Sequence, residues 1–242
     1  MITVAIPTKN EEKHIGALLE SLVQQDVYEE LEVVVADAAS TDRTREIALS
    51  FQKRFARLLI VEGGMPAHGR NNAARASWGS PIFFIDADMT LPDTGFVRTC
   101  TQYFRSHALA VAATPLVPRS TKTIDRFLAR INNVILYASR YTLPAGAMCV
   151  VASRAAFERS GGYPEDVLMS EDHDFVRRCA RYGRYGILPL SAHFSVRRLE
   201  KEGRLHLAYK YTAVTAYRMF VGPIRKPVVR YEFEYTDKEN AA

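Results

Sequence analysis

Residues 2–88 alternate short β-rich apolar runs with helical ones, and that alternation constrains the fold more than any other feature. ITVAIP (2–7), LEVVVAD (31–37), RLLIVEG (57–63) and PIFFIDAD (81–88) read as strands. Between them, EEKHIGALLESLVQQ carries Ile15, Leu18, Leu19 and Leu22 at the spacing of one helical face. STDRTREIALSFQKRF opens on capping residues, and GRNNAARAS reads as a short helix. Strands that each lead into a helix before the next strand join through right-handed crossovers. The expected architecture is α/β, a central and mostly parallel sheet with helices on both faces.

After Pro92 the pattern loosens. GFVRTCTQYFRSH and KTIDRFLARINNVILYASRY read as helices, ALAVAATPLV as one strand, and SEDHDFVRRCARYGRYGILP as a helix opened by acids and then a strand. With 242 residues the chain can form one large domain with a small appendage. Cys100, Cys149 and Cys179 are widely spaced and form no C-x-x-C, which speaks for core filler and a reducing, cytoplasmic setting. No leader peptide and no bilayer-spanning apolar stretch is evident. Net charge is +5, which permits contact with phosphates or an anionic surface and gives no reason to expect nucleic acid.

In a parallel sheet, ligands bind beyond the carboxyl ends of the strands. Here those ends read PTKNEE, ADAASTD and DADMT. Ser40, Thr41 and Asp42 are accounted for as an N-cap, but Asp37, Asp86 and Asp88 together are not accounted for as turn chemistry. Asp86 and Asp88 lie two apart, on the same side of an extended chain. Such carboxylates repel unless a cation or hydrogen-bond donors compensate, and oxygen-only ligands select Mg2+ or Mn2+. There is no Walker loop and no G-x-G-x-x-G, so phosphate binding would rest on the metal and on basic side chains such as Arg70. IFFIDADMT also fits the D-x-D-x-T of haloacid-dehalogenase phosphatases, although that motif normally opens a chain and three strand–helix units precede it here.

VAIPTKNEEKHIGALLESL, VVVADAASTDRT, GRNNAARASWGSPIFFIDADMTLP, SEDHDFVRRCARYGRYGIL and SVRRLEKEG, in that order, resemble the inverting nucleotide-sugar glycosyltransferases of family 2, which have the GT-A fold. The resemblance implies a GT-A domain over 1–203, with a nucleotide-sugar-binding half (1–92) and an acceptor half (93–203). It places Pro7, Thr8, Asn10, Glu11, Asp37 and Arg70 at the donor, and Arg197 and Arg198 in a late loop over the diphosphate. Asp88 would ligate the metal directly, Asp86 would reach ribose or water on the metal, and His193 would complete the metal shell. Glu171 and Asp172 match the catalytic acid pair, with Asp172 as general base and Asp174 as a rival. Gly146, Ala147 and Met148 begin the acceptor side. The family pattern DDGSTD is departed from at Ala38 and Ala39, which leaves a uridine or a guanosine donor open. Without the resemblance, SEDHD reads as a helix start capped by Ser170. A non-catalytic nucleotide-sugar-binding module is the third reading.

Residues 197–230 hold nine Lys or Arg against two Glu. A basic amphipathic segment over 204–235, followed by a frayed tail (236–242), admits two readings: a helix packed on the core with its charges in water, the commoner outcome, or a surface that lies on the inner face of a membrane and brings the enzyme to a polyprenyl-phosphate or lipid-linked glycan acceptor.

Overall fold

The structure is a computed structural model that describes residues 1–167 and 169–204, and beyond them only residues 206, 207, 209, 210, 213, 214, 217, 222 and 224. Most of the expected basic segment over 204–235, and all of the tail, lie outside the described residues.

The first half holds β1 (Ile2–Thr8), α1 (Ile15–Val23), β2 (Leu31–Asp37), α2 (Thr44–Ser50), β3 (Arg57–Glu62), α3 (Pro66–Arg75) and β4 (Ile82–Ile85). There follow β5 (Met89–Thr90), α4 (Phe96–Ser106), β6 (Leu109–Ala113), β7 (Leu116–Pro118), α5 (Thr123–Ser139), β8 (Cys149–Ala152), α6 (Arg154–Ser160), α7 (Glu171–Cys179), β9 (Arg184–Ile187), β10 (Ala192–Phe194) and α8 (Arg197–Lys201). The main sheet has seven strands in the order β3-β2-β1-β4-β8-β6-β9. All run parallel except β8, which is antiparallel to both β4 and β6. The expected sheet flanked by helices is thus observed, and β2 and β4 are buried along their whole length.

Helices follow the predicted faces. Ile15, Leu18, Leu19 and Leu22 of α1 are fully buried. The predicted 69–77 helix begins earlier, at Pro66, whose missing N–H costs nothing in a first turn. Its inner face is small: a Cβ on Gly69 would lie 3.5 Å from Pro7 and 3.6 Å from Ala36, so α3 lies close against β1 and β2. The cysteines are free and buried, as expected of core filler.

Three local expectations are corrected. The strand predicted over 108–117 is broken at Thr114–Pro115, and its second part, β7, joins a separate three-stranded sheet, β5-β10-β7. Ser40 does not cap α2; Asp42 accepts from the Thr44 backbone N–H (3.0 Å) and hydroxyl (2.5 Å), while the Ser40 hydroxyl donates to Asp37 (2.5 Å). Ser170 holds the N-cap position of α7 with left-handed backbone (φ 58°) and no side-chain cap bond. Trp78 is 68 % exposed, with the Arg57 guanidinium over its ring at 3.9 Å.

Glu32 is the polar clamp of the sheet end remote from these loops. Its buried carboxylate accepts from Thr3 Oγ1 (2.9 Å), from the Trp78 (2.8 Å) and Gly79 (3.1 Å) backbone N–H groups and from Arg57. Burial pushes its pKa up, but these bonds outweigh it and hold the pKa below the usual carboxylate value. A depressed carboxylate stabilises the fold above its unfolded pKa, and that contribution is lost as pH falls through the folded value. Glu32→Gln is therefore expected to cost about 2–3 kcal/mol near neutrality, with the gap to wild type closing in acid. Urea denaturation at both pH values checks this.

Candidate active site

The carboxyl ends of β1, β2 and β4 and the start of α7 supply the polar cluster. The loop after β1 is stitched to the loop after β2: Asn10 N–H donates to Ser40 Oγ (2.9 Å), Asn10 Oδ1 accepts from Thr41 N–H (3.0 Å), and Glu11 N–H donates to Thr44 Oγ1 (2.7 Å). Asp37 is buried and accepts from Thr8 Oγ1 (3.2 Å), Ser40 and Arg45 (3.3 Å). Asn10 and Ala39 both take positive φ (52° and 53°). Ala39, which replaces the glycine of the family pattern, therefore carries backbone strain that glycine would avoid.

The extended-chain expectation for Asp86 and Asp88 is corrected. The strand stops at Ile85, and the chain turns, with Met89 N–H donating to the Asp86 carbonyl (3.1 Å). The two carboxylates are then held by different arginines. Asp86 Oδ1 accepts from Arg70 Nη2 (2.6 Å), and Asp88 Oδ2 accepts from Arg197 Nε (3.2 Å).

Arg70 is the first of two arginines that organise the cluster. It is buried, its other nitrogen Nη1 donates to Glu171 Oε1 (2.6 Å), and it lies over the Tyr163 ring at 5.2 Å. Burial alone would lower its pKa, but Asp86 and Glu171 outweigh burial and hold it well above the usual value. Burial likewise raises the Glu171 pKa, with Arg70 opposing. Tyr163 stacks on Phe175 at 3.9 Å, and Asn71 grips its backbone from both sides, at N–H (2.8 Å) and C=O (2.9 Å). Nothing in the sequence spacing of Tyr163 announces an arginine partner.

Arg197, at the start of α8, bridges Glu11 and Asp88. Burial raises the Glu11 pKa to about 7 against the pull of Arg197, and burial raises that of Asp88. Glu11 Oε2 is buried without a hydrogen-bond partner. A guanidinium thus joins two desolvated carboxylates, and an oxygen is left over. That donor set suits a hard divalent cation, which takes one or two carboxylates and completes its shell with water and phosphate oxygens. Among the described residues no group of three or more His, Cys, Asp and Glu side chains is arranged to hold a metal. His193, expected to complete the metal shell, lies in the three-stranded sheet. It sits in β10 opposite Thr90 and Val117, and burial, then Arg119, lowers its pKa. His68 faces Glu165 (3.2 Å) and Asn72 (3.0 Å).

The strap before β8 joins the two halves of the cluster. Met148 C=O accepts from Asp86 N–H (3.3 Å), and Ala147 packs on the core. A Cβ on Gly146 would lie 2.7 Å from both the backbone carbon and Oδ2 of Asp172, so only glycine admits this approach. Asp172 Oδ1 lies 3.1 Å from His173 Nδ1. Asp174 shares this first turn of α7. Arg198 adds positive potential at Asp88.

A seven-stranded, mostly parallel sheet with one reversed strand, and carboxylates at its carboxyl edge facing a second acidic pair, is the arrangement of the GT-A fold. The sequence pattern of the family "Glycosyl transferase family 2" matches residues 3–161, and the chain belongs to that family. It is 38 % identical over 90 residues to the poly(ribitol-phosphate) beta-N-acetylglucosaminyltransferase TarS of Staphylococcus aureus, covering 36 % of this chain and 16 % of that protein. It is 23 % identical over 217 residues to a poly(ribitol-phosphate) beta-glucosyltransferase of Bacillus spizizenii, covering 87 % of this chain and 34 % of the relative. The chain thus spans about a third or less of the length of these relatives. Among solved structures, it resembles the Pyrobaculum calidifontis mannosyltransferase PcManGT in complex with GDP-Man and Mn2+ (TM-score 0.67, 24 % identity, 91 % of this chain and 70 % of that one). It also resembles S. aureus TarS 1-349 in complex with UDP (TM-score 0.65, 22 % identity, 81 % and 60 %). No observation favours the phosphatase reading once the motif lies on the fourth strand of this sheet.

Proposed function

We propose that this chain is a metal-assisted inverting glycosyltransferase that moves a hexosyl or N-acetylhexosaminyl group from a uridine or guanosine diphosphate sugar to an acceptor hydroxyl or phosphate. The observation that carries the reading is Arg70, one buried side chain bonded to Asp86 of the donor half and Glu171 of the acceptor half. It ties the donor carboxylates to the position of the base.

Pro7, Thr8, Asn10, Glu11 and Asp37 line the nucleotide side. Asp88, with Glu11 and Asp86 near it, would hold Mg2+ or Mn2+, which when bound offsets negative charge on the leaving diphosphate. Arg197, freed from Glu11 and Asp88, and Arg198 would reach the diphosphate, where arginine forks suit phosphate oxygens. Asp172 takes the proton of the acceptor hydroxyl as that oxygen attacks the anomeric carbon. The new C–O bond forms on the face opposite the breaking bond to diphosphate, and the configuration inverts. A phosphate acceptor arrives already ionised, and Asp172 then positions it. Gly146, Ala147 and Met148 form the wall on the acceptor side. The UDP- and GDP-Man-bound neighbours support a nucleotide-sugar donor, and the Mn2+-bound one supports the metal.

Calorimetric titration of UDP and GDP, each with and without Mn2+, tests this on wild type and Asp88→Ala. One nucleotide should bind in the presence of metal, and Asp88→Ala should abolish the metal-dependent part. If neither nucleotide binds under any condition, the donor-site assignment fails.

A further inference from the structure

Helix α5 presents two distinct faces. The inner one, with Asp125, Ala129, Asn133 and Leu136, is tied down. Asp125 is buried and accepts from Arg204 (2.6 Å) and Ser120 (2.6 Å), and Asn133 exchanges two hydrogen bonds with the Leu116 backbone (3.0 and 2.8 Å). The outer one carries Ile124, Phe127, Ile131, Val134 and Ile135, spaced as i, i+3, i+7, i+10 and i+11. At 100° per residue these five fall within one narrow stripe, and all are exposed: Phe127 by 58 %, Val134 by 61 % and Ile135 by 60 %. A contiguous apolar stripe of this size on a surface calls for a partner.

Charge identifies the partner. Residues 119–141 hold Arg119, Lys122, Arg126, Arg130 and Arg140 against the single acid Asp125, which is already spent on Arg204. Residues 205–235 hold five Lys or Arg against two Glu, so that segment would bring like charge to the helix. A second copy docked about a two-fold axis would set the same arginines against one another. A bilayer with anionic headgroups satisfies both features, since apolar side chains enter the headgroup boundary while arginines stay at the phosphates. Tyr141, 82 % exposed with Arg140 over its ring at 4.5 Å, stands at the end of the stripe as an interfacial aromatic.

We infer that the outer face of α5 is a membrane-docking surface for an anionic bilayer. Among the described residues no helix is long and apolar enough to cross a membrane, so α5 lies on the bilayer and does not span it. From its C-terminal end the chain runs directly to Gly146, packed on Asp172, so docking presents the acceptor side to the lipid surface. This last step rests on the transferase reading and selects a lipid-linked acceptor; the docking itself does not rest on it.

Flotation of the full chain, without nucleotide or metal, tests the inference. The vesicles are equimolar phosphatidylglycerol and phosphatidylcholine, or phosphatidylcholine alone. Wild type should float with the anionic vesicles. F127S/V134S should lose more than about tenfold in partitioning with an unchanged melting temperature, because both side chains are exposed. R126Q/R130Q should lose the preference for anionic over neutral vesicles. The inference is overturned if wild type stays at the bottom, or if F127S/V134S floats as wild type does. It is equally overturned if F127S/V134S instead converts a concentration-dependent dimer to monomer. A chain that binds nucleotide but never floats removes the docking alone; one that floats but binds no nucleotide removes the transferase reading alone.

Discussion

Asp172→Asn should lower kcat by about 10²–10⁴ with a hydroxyl acceptor and leave nucleotide binding as in wild type. Asparagine has the shape of aspartate, so the contact with Gly146 survives and only proton acceptance is removed. The proposed donor residues are Glu11, Asp37, Asp86 and Asp88, none of which the substitution touches. Steady-state kinetics paired with calorimetry separates the two readouts. A fall in kcat below about tenfold, with binding intact, would show that Asp172 positions an already ionised acceptor, as a phosphate acceptor requires. An unchanged rate on a hydroxyl acceptor would shift the base assignment to Asp174, which shares the first turn of α7.

Arg70→Leu should cost about 3–5 kcal/mol, because it strands two carboxylates that Arg70 now compensates. The loss should depend on pH. Burial already raises the Glu171 pKa with Arg70 present, and removing the guanidinium raises it further. For an acid whose folded pKa lies above its unfolded value, stability is present below the unfolded pKa and is lost as pH rises through the folded pKa. The deficit of Arg70→Leu should therefore be larger near pH 8 than near pH 5, by about 1 kcal/mol or more. Denaturant melts at the two pH values measure it. A deficit that does not change with pH would mean that Glu171 finds another partner. Arg70→Lys would restore one charge but not the two-pronged bond, so stability should recover further than activity.

Both predictions concern contacts that sequence reading could not supply. It identified Asp86, Asp88, Glu171 and Asp172 by their motifs, and it named Arg70 as a basic residue near phosphate. It did not show that Arg70 spends both ends of its guanidinium on carboxylates, one of them 101 positions away. It grouped Asp86 with Asp88 on one side of a strand, whereas the turn after Ile85 gives each its own arginine. Arg197 was placed over the diphosphate, and its partnership with Glu11, 186 positions away, had no local signal.

What the sequence determined by itself is the part governed by local chemistry. Strands buried on both faces must be continuous apolar runs, a helix covering them must repeat its apolar residues near every 3.6 positions, and a strand end at a binding edge must turn polar. These demands act within a few residues, so they are written in a few residues. Pairing across the sheet is decided by closure of the whole chain: which arginine meets which acid, and that Gly146 abuts Asp172. Helix α5 illustrates the division. Its periodicity announces a helix, but the sequence leaves open which face is buried. Asp125 bonding Arg204 and Asn133 bonding Leu116 decide it, and the stripe from Ile124 to Ile135 is turned outward because those polar anchors can be satisfied only on the inner side.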